Sequence, residues 1–418
     1  MLSLSRRNML RGVAFGAAAV GNGALRNARA QQPGPIRIPY IVTLSGPLAL
    51  VGTQIQIGAQ ITADIINKSG GIMGRPVNLI FRDDKGKPEE AVAAMREMIG
   101  DGMHIVIGGL TGPTTLPLLD IAKETKSVLL TTAVGMPITH ELYNRYVFRS
   151  LDNEYQRLRG LARLAAERFP DVQSWGGVLT DTETYKTSYD NFTKLLSKYI
   201  EEEGKQAPKI AEAILAKSGS TDFHSQIAQM SSLSLDAVYN QVSGSDSVTF
   251  WQQARAFGLT KNIKVVLDQS IDIVAAKALR MNLPPSLWTI LPWYPKLYPD
   301  NPMSKALYDG YVERTKDRYA SGYLQHPNTP LLGIAAAVDA ANGTTDPESV
   351  IAALEGLKFN TAKGEVYFRK EDHQAVEDTC FIKIEAREQD PGFTITDSYK
   401  IPGLELLEPP NPGVKFTP

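Results

Sequence analysis

The sequence alternates between short apolar segments and amphipathic segments of helical length, and this alternation runs twice along the chain. The first series begins at Ile36–Val42, which reads as a strand, and continues with residues 54–68, where isoleucines recur every four residues as on one face of a helix. The wholly apolar segment Ile105–Ile107 is typical of a parallel sheet that is buried on both faces. The pattern therefore predicts parallel strands connected by helices.

The alternation restarts near residue 153, and no long linker separates the two series. Further strands are predicted at residues 175–179, 210–214, 237–241 and 263–267, separated by helices at 185–203, 222–230 and 245–257. After residue 291 the pattern becomes mostly helical, and residues 364–383 look like short strands with turns. Two successive series of this kind predict an α/β fold of two Rossmann-like lobes with parallel sheets.

The N-terminus carries the pattern of an export signal. Arg6 and Arg7 precede a stretch of apolar and small residues at 12–25, and Ala28-Arg29-Ala30 fits a small-x-small cleavage site. The apolar stretch is shorter than the ~20 residues that a membrane span needs. We therefore expect residues 1–30 to be a twin-arginine signal peptide, and the mature protein to be exported in soluble form to the periplasm.

Charge and cysteine content exclude several classes of protein. Five of the 44 Lys and Arg residues lie in the expected signal, which has no acidic residue, so the mature chain carries roughly six more acidic than basic residues. This balance argues against nucleic acid or an anionic membrane surface as a partner. The single cysteine, Cys380, excludes an intramolecular disulfide and a cysteine-based metal site.

The loop that follows Ile107 is the most informative candidate for ligand binding. Open α/β sheets bind ligands beyond the carboxyl ends of their strands. Here Gly108 to Thr115 is rich in Gly and Thr, and it leads directly into a helix with Pro113 near its first turn. Free backbone N–H groups and the helix dipole would suit a carboxylate or a phosphate. The alternative is a simple turn with a helix cap.

The sequence contains none of the common catalytic signatures. It has no Gly-x-Ser-x-Gly elbow, no His-Glu-x-x-His pair and no nucleotide-binding glycine fingerprint. Asp83 and Asp84 form a carboxylate pair without a histidine cluster, so we interpret them as structural residues that bond loop backbone or cap the next helix. These absences favour a binding protein without catalytic residues, cofactor or metal.

Several segments together resemble one protein family. Leu44-Ser45-Gly46-Pro47, the run Ile65 to Gly74 and the run Gln253 to Leu259 resemble periplasmic binding proteins of branched-chain amino-acid type ABC importers. The resemblance covers nearly the whole mature chain, and it implies the type I fold, in which two lobes joined by three crossovers clamp a ligand. The expected lobes comprise residues 31–152 with 290–360, and 153–289 with 361–418.

The resemblance also assigns candidate ligand-binding residues. Family members hold the ligand carboxylate with loops corresponding to Thr111-Gly112 and Ala133-Val134-Gly135, and the amino group with an acid after the strand at residues 263–267. Here Gly112 and Gly135 replace common hydroxyl residues, and Gln269 replaces that acid, with Asp268 adjacent. A buried ammonium without a carboxylate is costly, so an aromatic or aliphatic acid, or an amide, is favoured over a plain amino acid. The predicted site comprises Ser45, Leu50, Thr111, Gly112, Thr114, Ala133, Val134, Gly135, Tyr185, Ser243, Asp268 and Gln269.

The function that the resemblance implies is the capture of a small solute for an ABC importer. We expect a monomer that binds the small-molecule ligand in the cleft and delivers it to an ABC permease in the inner membrane. Two alternatives remain open at this point: a sensory receptor of the same fold, and an exported α/β enzyme.

Overall fold

Strands and helices alternate along most of the described chain. The computed structural model describes residues 34–418, so the expected signal peptide and its cleavage site lie outside the described residues. The strands are β1 (Ile36–Val42), β2 (Val77–Asp83), β3 (Ile105–Ile107), β4 (Val128–Thr131), β5 (Val147–Arg149), β6 (Ser174–Thr180), β7 (Lys209–Ile210), β8 (Ile214–Ala216), β9 (Ala237–Gln241), β10 (Val265–Asp268), β11 (Leu287–Leu291), β12 (Lys358–Thr361), β13 (Gly364–Phe368), β14 (Ala375–Val376), β15 (Thr379–Ala386) and β16 (Phe393–Ile401).

Several of the helices begin at a polar side chain that caps them. Asn153, Asp272, Asn301 and Asp346 each accept hydrogen bonds from backbone N–H groups in the first turn that follows. The α-helices are α1 (Ala49–Lys68), α2 (Pro88–Gly100), α3 (Gly112–Thr125), α4 (Glu154–Arg168), α5 (Glu183–Glu202), α6 (His224–Ser232), α7 (Gly244–Ala256), α8 (Ile273–Leu279), α9 (Pro302–Thr315), α10 (Asn328–Ala340), α11 (Pro347–Leu354) and α12 (Gly403–Leu406). Within residues 34–418, none of the helices combines the length and the hydropathy that crossing a bilayer requires.

The first lobe is built on a parallel sheet of five strands in the order β2-β1-β3-β4-β5. Helices α1 to α3 connect its strands. Helices α10 and α11 and the small antiparallel sheet β12-β13-β14 return to it from much later in the chain, and Leu331, Phe359 and Phe368 are buried in the same core as Leu129 and Phe148.

The second lobe is built on a larger sheet in the order β16-β15-β11-β10-β9-β6-β7, with β8 also paired to β6. Pairing is parallel from β6 to β11 and antiparallel for β15 and β16. One face packs around Phe250 and Trp251 and the other around Trp175 and Phe192. The α/β class with two parallel-sheet lobes, predicted from the alternation, is confirmed.

The chain passes between the two sheets after β5, after β11 and after β14. Val366, Phe368 and Ala375 belong to the core of the first lobe. This packing supports a third crossover at Glu377 and Asp378 rather than the expected boundary at residues 360 and 361. The exact division of the chain into lobes remains a proposal.

A salt bridge without solvent contact lies at these crossovers. The Lys363 Nζ is 2.7 Å from the Glu377 Oε1, and neither side chain is exposed. Thr329 donates a hydrogen bond of 3.2 Å to the other oxygen of Glu377. Burial raises the pKa of Glu377, and Lys363 opposes that change. The pair therefore ties the third crossover to the first lobe.

A second buried pair joins the first crossover to the third. Arg157 donates to the Asp152 Oδ1 at 2.7 Å, and the Thr379 hydroxyl donates to the Asp152 Oδ2 at 3.2 Å. Gln156 donates to the Glu377 carbonyl oxygen at 2.9 Å. We call these connected groups the hinge network: Asp152, Gln156, Arg157, Thr329, Lys363, Glu377 and Thr379.

Some predicted elements differ from those in the structure. Residues 210–214 were expected to form one strand, but β7 and β8 are separate short strands that both pair with β6. In the mostly helical region after residue 291, α9 ends at Thr315, because Lys316 adopts the left-handed conformation that closes a helix. Strands β5 and β16 and helix α8 were not predicted.

Candidate functional site

The two lobes approach each other at the carboxyl ends of their strands. Gly244, the first residue of α7, faces the loop after β1, and a Cβ atom there would be in van der Waals contact with it, 3.5 Å from the Pro47 carbonyl oxygen and 3.7 Å from the Leu48 Cδ2. Because ligands of open α/β sheets bind at this end of the strands, the loops that face each other here form the candidate site.

The first wall of the site is the loop between β3 and α3. Thr111 caps α3: its Oγ1 accepts from the Thr114 N–H at 3.5 Å, and its own N–H donates to the Thr114 Oγ1 at 3.3 Å. Thr114 is buried. The two hydroxyls are thus used within the helix cap, and Gly112 contributes backbone N–H at the open N-terminus of the helix, where an anion is favoured.

The second loop of this wall follows β4 and is held by a buried arginine. The Arg149 guanidinium donates to the carbonyl oxygens of Val134 at 3.2 Å and Gly135 at 2.5 Å. The Ala133 N–H donates to the Thr131 Oγ1 at 3.2 Å, which removes it as a ligand contact in this arrangement. Burial lowers the pKa of Arg149 to about 10, so the guanidinium stays charged at neutral pH. Sequence reasoning missed Arg149.

The opposite wall brings together two predicted residues of the second lobe. The Ser243 hydroxyl donates to the Tyr185 hydroxyl oxygen at 3.0 Å, and the Ser243 N–H donates to the Thr180 Oγ1 at 3.0 Å. Burial raises the pKa of Tyr185 above its ordinary value, although the bond from Ser243 opposes this. Tyr185 therefore stays protonated, and its own hydroxyl proton can be donated to a ligand.

Gln269 belongs to a chain of hydrogen bonds that ends on an acid. Its amide nitrogen donates to the Tyr239 hydroxyl oxygen. Tyr239 donates to the Gln241 Oε1 at 3.0 Å, and Gln241 donates to the Glu154 Oε1 at 3.2 Å. The Ser188 hydroxyl donates to the same oxygen of Glu154 at 2.6 Å. The neutral residue in the expected acidic position is therefore linked to a carboxylate that the sequence did not single out.

Asp268 takes no part in this series of hydrogen bonds, and both of its oxygens are engaged within the second lobe. Its Oδ1 accepts from the N–H groups of Ser270 at 2.5 Å and Ile271 at 2.6 Å, and its Oδ2 accepts from the side chains of Asn240 and Trp251. Burial raises the pKa of Asp268 to about 6 against these four hydrogen bonds. Its role in the structure is to fix the loop after β10.

Two predicted residues near the first strand do not contribute a buried wall. The Ser45 hydroxyl donates to the Asp83 Oδ2 at 2.7 Å, and Leu50 at the start of α1 is 66% exposed. Asp83 also accepts from the Leu44 N–H, and Asp84 accepts from the Thr43 hydroxyl at 2.6 Å. The structural interpretation of the aspartate pair is thereby confirmed.

The second crossover adds two aromatic residues that sequence reasoning missed. Tyr323 packs on the core of the first lobe, and its ring centre is 4.9 Å from that of His326. Burial, followed by the nearby Arg157, lowers the pKa of His326 to about 3, so the imidazole is neutral at neutral pH. Neither ring nitrogen of His326 has a hydrogen-bond partner within residues 34–418. A metal site does not account for these two nitrogens, because residues 34–418 contain no cluster of three or more potential metal ligands.

Comparison with known proteins gives a consistent result. The family described as periplasmic binding protein matches residues 35–389. The leucine-, isoleucine-, valine-, threonine- and alanine-binding protein of Pseudomonas aeruginosa is 26% identical over 339 residues, which are 80% of this chain and 85% of that protein.

Two solved structures from Rhodopseudomonas palustris share the fold. An ABC-type branched-chain amino acid transporter protein superposes with a TM-score of 0.72 at 23% identity, covering 90% of this chain and 99% of the other. A solute-binding protein of an ABC transporter, solved in complex with 3,4-dihydroxybenzoic acid, superposes with a TM-score of 0.75 at 19% identity, covering 88% and 98%.

Proposed function

Because this chain belongs to the periplasmic binding protein family, as a type I member, we propose that it captures a small carboxylate- or amide-bearing solute between its lobes. In this proposal it is the substrate-binding component of an ABC importer and, acting as a monomer without catalysis, delivers the solute to an inner-membrane permease. The observation that carries the proposal is the approach of the two lobes at the carboxyl ends of their strands, where Gly244 faces Pro47 and Leu48.

The first wall favours an anionic end of the ligand. The N-terminus of α3 presents the N–H of Gly112 and the positive end of the helix dipole. Across the cleft, Tyr185 offers a hydroxyl proton. The amino acids named for the Pseudomonas aeruginosa relative and the dihydroxybenzoate bound by the Rhodopseudomonas palustris structure share a carboxylate. A carboxylate is therefore the group that we expect this site to recognise.

We expect the purified protein to bind acids in preference to the matching alcohols. Isothermal titration calorimetry should compare leucine with leucinol and benzoate with benzyl alcohol. At least one acid should bind, and its alcohol should bind at least about tenfold more weakly, because a charged hydrogen bond at the helix N-terminus contributes about 1.5–3 kcal/mol. A thermal shift with the same compounds is the independent check, since a ligand that binds the folded state alone raises stability. Equal affinity for acid and alcohol would contradict carboxylate recognition.

We also propose that the chain is exported through its N-terminal paired arginines. Replacing both Arg6 and Arg7 by Lys keeps the charge and removes the twin-arginine pattern. The variant should accumulate as uncleaved precursor in the cytoplasm, whereas a variant with Lys only at Arg26 should be exported normally. Cell fractionation with immunoblotting measures both. Normal periplasmic accumulation of the double variant would contradict the proposed route.

A further inference from the structure

Glu154 lies where the walls of the candidate site meet. It is the first residue of α4, directly after the first crossover, and its N–H donates to the Val134 carbonyl oxygen at 2.9 Å. Its side chain reaches the second lobe, where it accepts hydrogen bonds from Ser188 and Gln241. It is also close enough to Tyr185 to raise the pKa of that hydroxyl. One residue thus contacts the loop after β4 and the wall of the second lobe.

The carboxylate of Glu154 is only half used by the protein. Both of its hydrogen bonds fall on Oε1, at 2.6 Å from Ser188 and 3.2 Å from Gln241. Its Oε2 accepts no hydrogen bond from any described residue and, in a side chain of a residue that is only 7% exposed, is not among the fully buried unpartnered atoms, so it keeps some contact with solvent. A carboxylate that is nearly buried costs free energy unless its oxygens are hydrogen-bonded or paired with a charge. An acceptor oxygen that the protein itself does not use is therefore available to a ligand.

Three other buried acids, at the crossovers and in the second lobe, have no comparable free oxygen. Asp268 has both oxygens engaged within the second lobe. Asp152 accepts from Arg157 on one oxygen and from Thr379 on the other. Asp272 caps α8 with one oxygen and accepts from Ser321 at 2.7 Å with the other. The comparison isolates Glu154 among them as the acid that can serve a ligand.

The hydrogen-bond chain from Gln269 reinforces this assignment. Gln269 donates to Tyr239, Tyr239 donates to Gln241, and the last donor in the series bonds the Glu154 carboxylate. An acid at position 269 would remove the donor to Tyr239. The glutamine is therefore consistent with a site whose negative charge lies at Glu154, where this series of hydrogen bonds ends. Position 269, after β10, then carries no charge.

We propose that Glu154 accepts a hydrogen bond from a donor-bearing end of the ligand, an ammonium or a hydroxyl group, while the N-terminus of α3 holds the carboxylate. This inference rests on the proposed function, because it assigns the second end of a ligand bound in the same cleft. It makes Glu154 a specificity-determining residue and the ligand a two-ended molecule with an anionic group and a hydrogen-bond donor.

The test compares acids that differ in the donor group alone. Leucine is paired with 4-methylpentanoate, which lacks the ammonium, and 4-hydroxybenzoate is paired with benzoate, which lacks the hydroxyl. Calorimetry on the wild type and on Glu154→Gln and Glu154→Ala gives the affinities. Glu154→Gln removes the charge and keeps an acceptor oxygen, whereas Glu154→Ala removes both. Glu183→Gln is the matched control, because Glu183 is an exposed acid in the first turn of α5.

A ligand that donates through an ammonium and one that donates through a hydroxyl group predict different changes in affinity. If the ligand carries an ammonium, Glu154→Gln weakens leucine binding at least about tenfold and leaves 4-methylpentanoate within about threefold. If it carries a hydroxyl, Glu154→Ala weakens 4-hydroxybenzoate at least about tenfold, Glu154→Gln weakens it less, and benzoate stays within about threefold. Glu183→Gln changes none of these affinities. Either pattern supports the role of Glu154.

Equal shifts for both members of a pair, or no shift in either, would overturn the inference and leave the proposed function intact. Failure of the wild type to bind any of the four acids would instead overturn the proposed function, and the inference with it. Thermal melting without ligand shows whether each variant is folded. Glu154→Asp is a third variant at this position: it keeps the charge at the helix N-terminus, withdraws the carboxylate from the ligand, and should still weaken binding of the donor-bearing acid.

Discussion

Replacing Lys363 by Met is expected to lower the free energy of unfolding by about 3–5 kcal/mol. The Lys363 Nζ lies 2.7 Å from the Glu377 Oε1 in a pair from which solvent is excluded. Removing the cation leaves a buried carboxylate whose remaining partners are two neutral donors, Thr329 at 3.2 Å and Gln325 at 3.5 Å. Chemical denaturation followed by circular dichroism measures the change in stability.

Two further variants separate the charge from other effects of the substitution. The double variant Lys363→Met/Glu377→Gln carries no buried charge at this position and should recover much of the lost stability. Lys358→Met breaks an exposed pair with Glu365 and should cost far less, because solvent screens such pairs. A double variant as unstable as Lys363→Met alone would show that packing, and not the unpaired carboxylate, causes the loss.

Replacing Gly58 by Ala is expected to lower the free energy of unfolding by about 1–3 kcal/mol, as overpacking does in other cores. A Cβ atom at Gly58 would lie 2.2 Å from the Leu324 carbonyl oxygen and 2.8 Å from its Cα. Both contacts are with backbone atoms, so α1 and the second crossover must separate. Because Tyr323 lies beside Leu324, affinity for a bound acid should fall as well, which calorimetry can measure.

Gly100→Ala is the control for this prediction. Gly100 ends helix α2, and a Cβ atom there would meet no other atom within 4 Å. Alanine lowers the entropy of the unfolded chain and favours helix, so this variant should be neutral or more stable by up to about 1 kcal/mol. If both variants lose the same stability, the close approach at Leu324 is not the cause.

The fold could be predicted from the sequence because its strongest signals are local. The apolar strands β1 and β9 and the periodic helix α1 lie where alternation and spacing placed them. The elements that were missed have weak local signals. Strand β5 has only three residues, and β16 is an edge strand in which polar residues such as Asp397 and Lys400 interrupt the apolar pattern.

The site could be predicted only in part, because it is assembled from distant segments. Tyr185 and Ser243, both candidates from the sequence, follow two strands that the structure shows to be neighbours, and their hydroxyls meet; their contact with a ligand stays a prediction. Glu154 follows Asn153, and an Asn before an acidic first turn reads as an ordinary helix cap. Its position between the lobes depends on the crossovers. Conversely, Asp268 looked available because nothing in the sequence shows that Asn240 and Trp251 donate to it.

The late return of the chain to its first sheet has a consequence for biosynthesis. The core around Phe148 is closed by Leu331, Phe359 and Ala375, which leave the ribosome after the whole parallel part of the second sheet. Contacts so distant in sequence form slowly, since a long loop must be closed before they stabilise the chain. Neither lobe is therefore complete until late in synthesis, because the first needs residues up to Ala375 and the second needs β15 and β16. A pathway that waits for finished folding before translocation would suit a chain with this order of assembly.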